Sequence, residues 1–166
     1  MKKTLVLLVA LSLQSCILLG GDWGGEPVPD TSNYSAVFME RTDFESAVNI
    51  QAVSAIAEAG KIYTYNGNLF INDKYKGFHV YNNNDPANPV AVTFINAPGS
   101  TDMAIKNNTI YINQATDLIA VELSADLLSL EVTKRIANVF PEMLSPDGFY
   151  EYTPEGKVLE GWELNE

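Results

Sequence analysis

One histidine and one cysteine bound the chemistry open to this chain of 166 residues. His79 stands between Phe78 and Val80 on a predicted strand. A Ser-His-Asp triad would have to rest on it, and a cluster of several histidines around a metal is excluded. Asn82, Asn83, Asn84 and Asp85 gather oxygen donors that a calcium ion could use, but the calcium-loop spacing with a distal Glu is missing, so the run reads as a solvated turn. Asp43 and Glu45 belong to a helix start and do not form a glycosidase dyad. No phosphate-binding loop, dinucleotide fingerprint or Gly-x-Ser-x-Gly elbow occurs. The sequence therefore assigns no catalytic residue, no metal ligand and no cofactor, and the expected class is non-enzymatic. Aromatic residues could instead line a sugar- or peptide-binding surface. Tyr63, Tyr65, Phe70, Phe78 and Tyr111 read mainly as strand packing, whereas Tyr75 lies in the polar stretch Asn72 to Gly77. Tyr75, His79 and Tyr81 are the candidate ligand surface.

The lone cysteine points to a different chemistry. Met1-Lys2-Lys3, an apolar run from Leu5 to Leu13, and then Gln14-Ser15-Cys16 have the layout of a secretory signal: basic start, short apolar centre, small residue before cleavage. The run is too short to span a membrane. Leu13-Gln14-Ser15-Cys16 also resembles a bacterial lipoprotein cleavage box, which implies cleavage after residue 15 and diacylation of Cys16. Buried acyl chains are worth about 0.8 kcal/mol per methylene, so the expected membrane partner is reached through the lipid on Cys16. The address this implies is the cell envelope, lipid-anchored, at the outer membrane on its periplasmic or outer face. A single cysteine leaves no intramolecular disulfide. Removing residues 1–15 takes two of the 10 basic side chains, leaving 8 against 21 acidic ones, which argues against nucleic acid as a partner.

Residues 16–33 are rich in Gly, Pro and acids and read as a tether; residues 34–166 read as one β domain. Tyr34 to Met39 forms a first strand, and Thr42 to Val48, with Thr42 as cap, forms the one short helix. Asn66-Gly67-Asn68-Leu69-Phe70-Ile71-Asn72 then reappears 41 residues later as Asn107-Asn108-Thr109-Ile110-Tyr111-Ile112-Asn113. Asn66-Gly67 and Asn107-Asn108 are two-residue hairpin signals. Each copy predicts four strands, about 60–100 and 101–141, joined in the first by the Asp85-Pro86-Ala87-Asn88-Pro89 turn. A repeat of that length with short strands suits antiparallel, blade-like sheets of a partial β-propeller. Phe149 to Tyr152 and Lys157 to Trp162 flank a Thr153-Pro154-Glu155-Gly156 turn and predict a C-terminal hairpin over about 148–162.

Gly60-Lys61-Ile62-Tyr63, Leu69-Phe70-Ile71-Asn72, Lys76 to Tyr81, Asp85 to Pro89, Phe94-Ile95 with Pro98-Gly99, and Asp102 to Lys106 resemble the LVIVD-repeat envelope lipoproteins over about residues 34–141. The resemblance implies a propeller without established catalytic residues, and a surface or binding role toward a protein or glycan partner. The pattern departs from the family at Tyr81-Asn82, and the Pro-rich turn is missing from the second copy. About two blades are expected where a ring needs at least four, so a truncated remnant without independent activity is the alternative reading. Open sheet edges would favour self-association.

Overall fold

The computed structural model of the protein describes residues 31–166. The expected signal segment 1–15, Cys16 and the tether as far as Asp30 lie outside the described residues. Strand β1 (Tyr34–Glu40) runs into helix α1 (Arg41–Ser46), followed by β2 (Asn49–Gln51). Thr42 does not cap the helix: Glu40 is the N-cap and makes no side-chain cap hydrogen bond. A tertiary contact substitutes for the cap, with the Arg41 amide donating to the Gly156 carbonyl at 2.8 Å. Phe44 is fully buried.

Two antiparallel meanders follow. The first contains β3 (Ala59–Tyr65), β4 (Asn68–Asp73), β5 (Gly77–Asn82) and β6 (Val90–Asn96); the second contains β7 (Ser100–Lys106), β8 (Thr109–Gln114), β9 (Asp117–Leu123) and β10 (Leu130–Ile136). Local chemistry dictates the hairpins. Asn66 and Gly67 take φ of 48° and 74°, Asn107 and Asn108 take 51° and 66°, as the two central positions of such a turn require. Asp85 shapes its own turn, its carboxylate accepting from the Ala87 amide and the Asn88 side chain, each at 3.1 Å. The described chain is thus all-β apart from α1, with every strand pair antiparallel.

Two expectations need correction. The first sheet has five strands, because β2 joins its outer edge by pairing Asn49 with Asn96 and Gln51 with Phe94. The C-terminal hairpin does not form: β11 (Lys157–Leu164) pairs with β1, from Tyr34↔Leu164 to Glu40↔Lys157, and Phe149–Tyr152 is not a strand. The turn itself exists, with Lys157 N donating to Pro154 O at 3.1 Å. A hairpin with Phe149–Tyr152 would be short and isolated, while pairing with β1 lets Val158, Leu159 and Trp162 become buried. Val158 joins Phe44 and Ala115 in a small cluster, with Met39 and Met143 packed against it.

The main core lies between the two sheets, where Phe70, Phe78, Val80 and Ile95 meet Ile110, Ile112, Ile119 and Val121. Both copies keep the same strand alternation, yet they bury opposite faces. Phe70 and Asn72 are buried in the first; their equivalents Tyr111 and Asn113 lie on the other side of β8, away from the buried Ile110 and Ile112. The sheets therefore stack front to back. A symmetric sandwich would bury equivalent faces, so this contact is heterologous.

Candidate binding cleft

The β4–β5 turn, Lys74-Tyr75-Lys76, brings the sequence-predicted Tyr75 into a site. Tyr75 has φ of 61°, a left-handed conformation that costs a non-glycine residue about 1–2 kcal/mol. Main-chain bonds hold it there: its amide donates to Ser100 O at 3.2 Å and its carbonyl accepts from Gly99 at 2.8 Å. The first turn is thereby tied to the start of the second sheet. The Tyr75 ring lies against Gly161, where a Cβ would come within 3.0 Å of ring carbons. A side chain at 161 would force the ring back by a few tenths of an ångström.

Beside Gly161 the β1–β11 ladder breaks register. Val37 pairs with Gly161 and Phe38 with Leu159, which leaves Glu160 as the extra residue of a β-bulge. Bulges re-aim side chains. Glu160 lines a cleft of about 660 Å³ together with Tyr75, Trp162 and Phe94, and with Lys74 and Lys76 from the turn. Burial pushes the Glu160 carboxyl above the usual glutamate range, and the charge of Glu163 adds to the shift. Lys74 is held by Glu58 at 2.9 Å and lies 5.3 Å from the Tyr75 ring centre. The Trp162 ring N–H donates to Met143 O at 3.3 Å, so its polar tip is satisfied within the protein. The cleft combines an aromatic lining with carboxylates from β11 and ammonium groups from the turn.

The other two residues of the predicted surface do not converge on Tyr75. His79 is only 2% exposed; its Nε2 is 3.2 Å from Asp73 Oδ2 and its ring is 4.6 Å from that of Phe94. It is buried on the face of the first sheet opposite the main core and offers no surface. Tyr81 is half-buried on the same face of β5, but it pairs with Leu69 near the opposite, Asn66-Gly67 end of the sheet. Sequence reasoning missed Glu160, Trp162 and Lys74. One signal was present: apolar residues on both parities of Lys157–Leu164, at Val158, Leu159 and Trp162, are incompatible with a regular one-sided strand and point to a bulge.

A second polar cluster has a structural character. Asp117 is fully buried and accepts from Arg41 Nη1 and Nη2 at 3.1 and 2.5 Å and from Arg135 Nη1 at 2.8 Å, while Arg135 Nη2 donates to Gln114. Burial alone would raise the Asp117 pKa; the hydrogen bonds from both arginines and the Asn138 amide outweigh it and hold the carboxyl below the usual range. Both guanidinium groups flank the Phe44 ring at 5.7 and 5.4 Å. The cluster fastens α1 to the second sheet.

Among the described residues, no group of three or more His, Cys, Asp or Glu side chains is placed to hold a metal ion, and no helix is long and apolar enough to cross a membrane. Comparison of the chain with protein-family models, with curated proteins and with solved structures gives no match.

Proposed function

We propose that this protein is a lipid-anchored envelope binding module, non-enzymatic, in which the two sheets are successive blades of a propeller-type stack and the cleft at Tyr75 receives a peptide segment of a protein partner. The observation that carries this reading is the cleft itself. Its aromatic residues supply contact area, and carboxylates facing ammonium groups suit a ligand that bears both charges. A neutral glycan would use the aromatic rings but make no use of the charges of Lys76, Glu160 and Glu163. The front-to-back stack and the left-handed Asn hairpins support the propeller reading. The resemblance to LVIVD-repeat lipoproteins supports the envelope address, and the Leu13-Gln14-Ser15-Cys16 box supports the anchor.

Ligand recognition is tested with the full chain in detergent, following Trp162 fluorescence in a Trp23→Phe background against a panel of short peptides carrying both charges. Saturable quenching that Lys76→Glu weakens about tenfold, equivalent to about 1.4 kcal/mol, is the expected result. Quenching by neutral oligosaccharides alone would move the ligand class to glycans, and silence with both panels would remove the binding role. Anchoring has its own test: Cys16→Ala should move the protein from the membrane fraction to the soluble one.

A further inference from the structure

The aspartates drawn into the fold are met by partners from the chain itself. Asp73 accepts from two main-chain amides, Asp102 from Lys61 and the Tyr63 hydroxyl, and Asp117 from Arg41 and Arg135, and each is held below the usual aspartate range. Glu160 differs. It is half-buried, yet among the described residues it makes no ion pair and no side-chain hydrogen bond, and the charge that acts on its carboxyl is that of another acid, Glu163. Of the lysines lining the cleft, Lys74 is taken up by Glu58 at 2.9 Å and Lys76 is exposed. A partly desolvated carboxylate beside a like charge costs stability, so the fold gains nothing from it. The chain nevertheless puts it in the cleft through a break in the β1–β11 ladder.

We propose that Glu160 is the specificity-determining residue of the cleft, its carboxylate receiving a lysine ammonium or arginine guanidinium of the bound peptide, with the ring of Tyr75 as a second contact for the cation. This rests on the peptide reading above and names the side chain that the cleft takes. A bound cation supplies the partner that the chain withholds from Glu160. The Tyr75 ring lies over the adjacent Gly161, and an aromatic face attracts a cation. Val37 and Phe94 in the cleft lining offer apolar contact to the methylene stem of such a side chain. A bare metal ion fits less well, since no third His, Cys, Asp or Glu joins the two glutamates among the described residues. The formal charge of −11 also draws basic segments toward the protein.

The test is calorimetric titration of the full chain in detergent with N-acetylated tetrapeptides that differ in one side chain: lysine, arginine, norleucine or citrulline. A free C-terminus gives every peptide the same carboxylate. Lysine and arginine peptides should bind at least about tenfold more tightly than their neutral counterparts, and Glu160→Gln should bring each pair to within about twofold. Equal binding of lysine and norleucine peptides to wild type would overturn this assignment and leave the peptide reading standing. Failure of all the peptides would overturn both. A Glu160→Gln variant that weakens every peptide alike would also overturn it, because the residue would then shape the cleft without selecting charge. Thermal melts give an independent check: removing an unpaired, half-buried charge should leave the melting temperature of Glu160→Gln equal to or above that of wild type. A lower value would show that the carboxylate serves the fold, and would overturn the proposal.

Discussion

The two sheets bury a carboxylate at the same end and use it differently. In the first, Asp73 closes β4, and its oxygens accept from the Ala57 and Glu58 amides, both at 2.9 Å, and face His79. In the second, Gln114 takes the equivalent position and the acid moves across the turn to Asp117, which faces two arginines. Asp73 ties down a connector close to it in sequence, whereas Asp117 captures Arg41 from a helix 76 residues away. A buried acid fed by main-chain amides holds a local loop. One fed by guanidinium groups holds distant parts of the chain together, and it leaves more uncompensated charge if removed.

This contrast can be broken in order of size. Asp117→Ala strands two guanidinium groups, one of them largely buried, and should cost about 3–5 kcal/mol, read as a lower denaturant midpoint with loss of the α1 contact. Asp73→Ala loses charge-assisted bonds to two amides that water can partly replace, so about 2–3 kcal/mol is expected in the same measurement. If the two variants cost the same, the distinction between local and long-range ties is wrong.

Acid should expose both groups together. Burial raises each carboxyl, but the hydrogen bonds prevail, and Asp73 and Asp117 both sit below the ordinary aspartate value. A depressed folded-state pKa gives stability that is present above the unfolded value of about 3.9 and is lost as pH falls through the folded value. Melting temperature should therefore drop steeply below about pH 4, and the Asp73→Asn, Asp117→Asn double variant should show a flatter, lower profile. The smallest effect concerns the hairpins. Gly67 occupies its left-handed position without strain, while Asn108 holds φ of 66° in the second copy, so Asn108→Gly should raise stability by up to about 1 kcal/mol. Gly67→Ala should do the reverse, because φ of 74° is a left-handed conformation that strains a residue with a Cβ.

The hairpins were legible because two adjacent residues decide them. Asn66-Gly67 and Asn107-Asn108 can enter the left-handed region wherever they occur, and period-2 runs on either side supply the strands. The Asp85 turn was legible for the same reason, since its side chain bonds within three residues. Candidate-site reading succeeded only in part. Tyr75 lies in a cleft as its polar neighbours suggested, but His79 is drawn inside by Asp73 and Phe94, and Tyr81 stays at the far end of β5. Strand position alone does not say whether a histidine meets a buried acid.

By itself the sequence determined what short-range chemistry controls: among the described residues, an all-β fold, its repeat, its tight turns and one short helix. Tertiary structure decided which face of each copy is buried, because Leu69 and Ile71 are as apolar as Phe70 and alternation has no preferred sign when both faces can pack. It also decided the partner of Lys157–Leu164. That strand could have folded back on its neighbours, but β1 offers a full ladder and a core for Val158 and Trp162, and this choice creates the bulge at Glu160 and the cleft beside it. Those outcomes depend on contacts between residues more than a hundred positions apart, and the free energy of such contacts appears only once the chain is assembled.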